Sequence, residues 1–405
     1  MAPSDDDYEP DFHPETLAVH AAAHRSPHGE TSEALFLTQG FTYPDMEAAE
    51  RRFKGAGDGG FVYSRFGNPT VAMFEERMAQ LEGAEAARAT ASGMAAVTGA
   101  LLGTLKAGDH VVSSRVLFGS CRYILSELLP KFGVTCSFVD GPDLDAWRAA
   151  LRPGTRAFFL ESPANPTTEI TDIAAVAAIA HEAGAILIVD NALGTPLIQN
   201  PLRLGADCVV YSATKHIDGQ GRCLGGLILG SKAFIEENVQ TFLRHTGPAL
   251  SPFNAWVMLK SLETLPLRVR RQSENAFALA RALQGAPGVA RVLYPGLPDN
   301  PQAAIVRRQM TSGGTVLALD MAGGKRAAFA FGGALRVIKI SNNFGDAKSL
   351  ITHPATTTHE RFTPAERAAI GITDGLLRLS AGLEHEDDLV ADVLRAARAA
   401  AEVTP

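Results

Sequence analysis

The stretch that decides the fold is Tyr211–Gly226, "YSATKHIDGQGRCLGG". It follows the apolar run "ADCVV" (206–210) and passes at once to hydroxyls, one lysine and then glycines. Tyr211 and Lys215 make a Y-x-x-x-K spacing, the catalytic pair of short-chain dehydrogenases when it lies within a helix. Here the pair spans the end of a strand-like run and enters a glycine-rich loop. The first strand–helix turn, "ATASGMAAV" (89–97), also has no G-x-G-x-x-G. The dehydrogenase reading is set aside. What remains is a lysine at the end of a strand. It is either a solvated loop charge or, in a partly buried cleft, an amine with a lowered pKa that can act as a nucleophile.

Working outward, "HVVSSR" (110–115), "VTCSFVD" (134–140), "RAFFLESP" (156–163) and "AILIVDN" (185–191) are further apolar runs. Alanine-rich stretches such as "DIAAVAAIAHEAGA" (172–185) separate them, with helical spacing and a glycine near the end. Continuous rather than alternating apolar strands between helices predict a mostly parallel sheet covered on both faces, in an α/β fold. Such sheets bind ligands beyond the C-terminal ends of their strands. After about residue 255 the pattern changes. "TVLALDM", "LRVIKIS" and "LLRLSAGLE" read as strands among helices, which predicts a smaller α+β domain. The expected division is an N-terminal tail and arm over 1–60, a large domain over 61–255 and a C-terminal domain over 256–405.

The chain has 405 residues, 46% of them hydrophobic, and a formal charge of −7. That is enough for a large core, and it shows no basic footprint for nucleic acid. Cys121, Cys136, Cys208 and Cys223 form no C-x-x-C pair, so neither a zinc site nor a disulfide framework is expected. The acidic start "MAPSDDDYEPDF" lacks the order of a secretory signal, and no apolar run reaches a membrane span. The expectation is a cytoplasmic protein with a loose N-terminal tail.

Asp190 ends the strand before the one that leads to Lys215. A carboxylate there is either a helix cap or the partner of a positive group. Taken with the lysine, it suggests a cofactor aldehyde bound as a Schiff base over an aspartate that keeps a pyridine nitrogen protonated. Ser212 and Thr214 supply hydroxyls for a phosphate. Ser92-Gly93-Met94 opens a helix whose free N–H groups and dipole suit the same phosphate.

Six blocks then carry a resemblance: "YSRFGNPT" (63–70), "ASGMAA" (91–96), "ESPANPT" (161–167), "VDNALGTP" (189–196), "YSATKHIDGQGR" (211–222) and "LLRLSAGLE" (376–384). In this order they resemble the Cys/Met-metabolism enzymes that use pyridoxal 5'-phosphate, over about residues 14 to 400. The resemblance implies the type I fold of PLP-dependent transferases. It makes Lys215 the Schiff-base lysine and general base, and Asp190 the partner of the ring nitrogen. Gly93, Met94, Ser212 and Thr214 bind the phosphate. Tyr63 and Arg65 complete that site from a neighbouring subunit, so the working unit is a homo-oligomer, a tetramer built as a dimer of dimers. Asn165 sits near the ring oxygen, Phe118 stacks on the ring, and Arg378 holds the substrate α-carboxylate. Without the resemblance, Arg378 reads as an outward residue on a strand. Ser341, in "SNNFG" (341–345), is expected near Lys215 or the substrate, although this stretch departs from the usual Ser-Leu-Gly. Arg122 is a candidate for a distal acyl carboxylate.

"LFGSC" (117–121) and "KHIDGQGRCLGG" (215–226) resemble the members that replace the γ-substituent of O-succinylhomoserine with sulfide, a step of methionine biosynthesis. The alternatives are an O-acetylhomoserine sulfhydrylase, a cystathionine γ-synthase, a γ-lyase or a protein that binds the cofactor without turnover. Phe118 stands where many members, γ-lyases included, carry a tyrosine whose hydroxyl assists proton transfer.

Overall fold

The computed structural model of the protein describes residues 12–55 and 60–403. Most of the acidic tail expected at the start lies outside the described residues. Seven strands form the large sheet: β1 (Ala86–Thr90), β2 (His110–Ser114), β3 (Thr135–Val139), β4 (Thr155–Glu161), β5 (Ile186–Asp190), β6 (Cys208–Ser212) and β7 (Gly226–Gly230). Their order across the sheet is β3-β2-β4-β5-β6-β7-β1. From β3 to β6 all pairs are parallel, and β7 runs antiparallel to both β6 and β1.

The continuous apolar runs are explained by burial on both sides. Phe158, Leu160, Leu187 and Val189 join one core cluster, while Ala157, Phe159 and Ile188 join another on the opposite face. Successive side chains of a strand point to opposite faces, so a sheet sandwiched by helices needs apolar residues at every position. Helix Ile173–Glu182 is capped by Asp172, which accepts from Ala175 N at 3.2 Å. Helix Gly93–Thr104 is capped by Ser92, which accepts from Ala95 N at 3.2 Å.

Helices Pro252–Leu262 and Leu265–Leu283 lead to a second sheet. Its strands are β8 (Val289–Leu293), β9 (Val316–Met321), β10 (Lys339–Ile340), β11 (Leu350–Thr352) and β12 (Leu376–Ser380), in the order β10-β11-β12-β9-β8. Pairing is antiparallel except between β10 and β11. Leu377 and Leu379 pack under the helices of this half. Leu376 and Ala318, on the other face, pack against Val116 and Ala164 of the first half. The second sheet therefore turns a face toward the strand ends of the first. Among the described residues, no helix is long and apolar enough to cross a membrane.

Candidate active site

A cleft of about 690 Å³ opens at the C-terminal ends of β4, β5 and β6. Lys215, Asp190, Gly93, Met94, Ser212, Thr214, Phe118, Asn165 and Arg378 all line it. Four sequence-predicted residues stand elsewhere. Ser341 Oγ accepts from Asn343 N at 3.4 Å and is not part of the lining. Tyr63 is exposed, and the Arg65 guanidinium donates to the Arg244 carbonyl and lies over the Phe66 ring, so within one protomer neither reaches the cleft. Arg122 stacks its guanidinium 4.2 Å from the Phe138 ring centre, outside the cleft.

The glycines around Lys215 serve close approach. A Cβ on Gly93 would lie 2.6 Å from Ser212 Cβ, and one on Gly226 would lie 2.3 Å from the Ser92 carbonyl oxygen. The helix start and the end of β6 thus meet at a spacing that only glycine permits. The Gly93 and Met94 N–H groups lie in the first turn of the helix, where N–H groups lack intrahelical acceptors. With the Ser212 hydroxyl beside them they form a cradle for an anion. Thr214 Oγ1 is bonded both ways to Gly225, at 3.2 Å to its oxygen and 3.1 Å from its nitrogen, and so fixes the turn that carries Lys215.

Tyr211 points away from all of this. Its hydroxyl donates to buried Glu82 and accepts from Asn191 Nδ2 at 2.7 Å. Ser212, next along β6, lines the cleft instead, so the Y-x-x-x-K spacing brings no tyrosine hydroxyl to the lysine.

Lys215 Nζ donates to Asn343 Oδ1 at 2.5 Å and lies 4.9 Å from the Phe344 ring centre. Burial, and then the Arg378 charge, hold its pKa down at about 8, with Asp190 pulling the other way. Asp190 Oδ1 accepts from Ala192 N at 3.0 Å. Burial raises its pKa to about 6, against the Ala192 N–H and the Lys215 charge. Arg378 is 2% exposed, because the face of β12 that strand alternation would give to solvent is covered by the first half. Its Nη1 donates to Asn165 Oδ1 at 3.0 Å, and its Nη2 donates to the carbonyls of Asn342 and Asn343 at 2.8 and 3.0 Å. Its Nε is buried without a partner. A guanidinium held rigidly in a cleft with an unused donor suits a carboxylate.

The anion cradle, a lysine with a lowered pKa and a carboxylate at the end of the neighbouring strand suit a phosphorylated pyridine aldehyde. The sequence profile of the Cys/Met metabolism PLP-dependent enzymes matches residues 15–398. The chain belongs to this family. Pyridoxal phosphate is its cofactor, and the cleft's donor set fits that group. The chain is 53% identical to an O-succinylhomoserine sulfhydrylase of Mycobacterium tuberculosis over 94% of its length and 95% of the relative's. It is 43% identical to an L-methionine gamma-lyase of Pseudomonas putida, over 95% and 97%. A crystal structure of a putative O-acetylhomoserine (thiol)-lyase from Campylobacter jejuni, which carries N'-pyridoxyl-lysine-5'-monophosphate, superposes with a TM-score of 0.91 at 31% identity. That superposition covers 96% of this chain and all of the other.

Several residues of this family member's site escape sequence reasoning, Phe344, Asn343 and Glu161 among them. Asn343, two positions after Ser341, is the side chain that meets Lys215. Glu161, the last residue of β4, lines the cleft although it reads as the end of an apolar run.

The lowered Lys215 pKa has a measurable consequence. Only the neutral amine attacks an aldehyde, and its fraction rises with pH toward a plateau above about 8. The rate at which cofactor-free protein takes up pyridoxal phosphate is expected to climb through this range and then level off. Stopped-flow visible absorbance checks it. A rate still rising steeply near the ordinary lysine pKa of 10.5 contradicts the lowered value.

Proposed function

We propose that this enzyme replaces the γ-succinyloxy group of O-succinylhomoserine with sulfide, breaking the Cγ–O bond and forming Cγ–S, to give homocysteine and succinate. The observation that carries the reading is its greater likeness to the sulfhydrylase than to the lyase, over nearly the whole chain. Phe118 at the cleft wall supports it, because it stands where the resemblance gives many members, γ-lyases included, a tyrosine.

When bound, pyridoxal phosphate supplies an aldehyde for amines and a ring that accepts electron density. The Gly93 and Met94 N–H groups and the Ser212 hydroxyl would hold its phosphate, joined by the Thr214 hydroxyl once its proton turns from the Gly225 carbonyl. Tyr63 and Arg65 of a second copy would complete that site, in a tetramer of two active-site dimers working in the cytoplasm. Asp190 would keep a proton on the ring nitrogen, since a carboxylate beside a base favours the charged form. Arg378 would take the amino-acid carboxylate and so orient the Cα–H bond toward Lys215. Lys215 Nζ would remove the α-proton and later return one. Asn343 Oδ1 would hold the freed amine in place between these transfers.

The test is a steady-state panel on the purified enzyme. O-succinyl- and O-acetylhomoserine are each offered with sulfide, cysteine or methanethiol. The expected result is fastest turnover with O-succinylhomoserine and sulfide, releasing equal amounts of homocysteine and succinate. Preference for the acetyl ester, faster formation of cystathionine from cysteine, 2-oxobutyrate released without a thiol, or no turnover at all would each overturn the assignment.

A further inference from the structure

Glu161 is 3% exposed and pairs in register with Asp190 across β4 and β5. In-register neighbours of parallel strands point to the same face, so two carboxyl groups stand side by side beneath the cleft. A buried carboxyl is costly unless donors or an opposite charge meet it. Glu161 meets two donors, each on a different segment. Phe118 N lies 2.8 Å from Oε2, and Asn165 N lies 3.1 Å from Oε1. Phe118 precedes the short helix after β2, while Asn165 lies in the loop that leaves β4. The tie runs on, because Asn165 Oδ1 accepts from Arg378 Nη1 at 3.0 Å. A single line of contacts, Phe118–Glu161–Asn165–Arg378, follows the cleft wall.

We propose that Glu161 is a positioning residue. By holding both N–H groups it fixes Phe118 against the cofactor ring and Asn165 between that ring and the carboxylate-binding Arg378. The proposal rests on the roles given above to Phe118 and Arg378. Two acceptor oxygens at this reach are what the geometry requires. Aspartate is one methylene short of spanning both segments, and glutamine offers one acceptor where two N–H groups converge. Burial, and then Asp190 alongside, push the Glu161 pKa well above the carboxylate range, while the two N–H groups and Arg378 oppose that rise.

The test compares Glu161→Gln and Glu161→Ala with the parent as holoenzymes. Glu161→Gln is expected to weaken cofactor binding and raise the amino-acid KM by about tenfold each, the effect of one buried donor left unpaired. Glu161→Ala frees both donors and is expected to lose roughly a hundredfold in kcat/KM. Both variants should shift the pH midpoint of the visible chromophore, because the ring's neighbours have moved. Variants that melt lower yet keep cofactor affinity, chromophore midpoint and KM within about twofold of the parent would reduce Glu161 to a core residue and overturn the proposal. If the alanine variant does not fold, the near-isosteric glutamine variant decides on the same readouts. Cofactor affinity and the chromophore do not depend on the acyl group. If the parent itself fails to turn over O-succinylhomoserine, that counts against the sulfhydrylase reading, and KM is then taken with whichever substrate the parent does use.

Discussion

Lys215→Ala is expected to fold normally, to purify without the yellow chromophore and to lose turnover by on the order of 10⁴ or more. General acid–base catalysis alone contributes up to about 10⁴, and in the proposed role this amine would also supply the covalent attachment. No substitute is at hand, because Lys215 is the only lysine among the described residues that line the cleft. The substitution does not threaten the fold. It removes a buried ammonium whose pKa is already lowered by burial and by Arg378, so the loss of its one hydrogen bond, to Asn343 Oδ1, is offset by the loss of a poorly solvated charge. Circular dichroism checks the fold, and visible absorbance checks the chromophore. Borohydride reduction of the parent followed by peptide mapping should place the label on Lys215. A label on a different amine, or parent-like rates in a well-folded variant, would refute the assignment.

The parts of the site that were legible in sequence are those that sit where strands end. An apolar run closed by Asp190, and another leading through Ser212 and Thr214 to Lys215, mark one edge of a parallel sheet, and the cleft lies there. Arg378 shows where strand alternation misleads. Its position in "LLRLS" points it off the core of its own half, but the face it shares with Leu376 packs on the first half. One strand's pattern carries no information about a second layer. "LRVIKIS" reads as a full strand, yet β10 keeps only Lys339–Ile340. The N–H groups of Arg336, Val337 and Ile338 are taken by the Asp392 carboxylate of the last helix, at 2.9, 2.9 and 3.1 Å, so none of them serves a neighbouring strand. In "SNNFG" Asn343 rather than Ser341 meets Lys215, in an irregular loop whose Asn342 and Asn343 carbonyls are held by Arg378. Glu161 was out of reach for a related reason. Its partners are backbone N–H groups, which every residue type carries alike.

Asp190→Ala separates two readings of a carboxylate that sequence left open, a helix cap or the partner of a ring nitrogen. In the catalytic reading, the variant keeps some cofactor but loses roughly 10²–10³ in kcat, the scale of removing one preorganised electrostatic group. The same reading predicts the opposite sign for stability without the cofactor. Burial raises the folded-state pKa of Asp190 from 3.8 to about 6. Its contribution to stability is therefore fully present below the unfolded value and is lost as pH rises through about 6. Near neutral pH the charged group burdens the cofactor-free fold, and alanine relieves that burden. The cofactor-free variant should melt at or above the parent near neutral pH, with the difference shrinking as the pH falls toward 4. With pyridoxal phosphate added, the order should reverse, because the parent alone gains the carboxylate's attraction for a protonated ring. Melting curves with and without cofactor at two pH values check both signs. A cofactor-free variant that melts well below the parent at both would mean that the bond from Ala192 N to Asp190 Oδ1 is the residue's main contribution. Parent-like kcat in the holoenzyme would mean that the ring's charge is set by some other group.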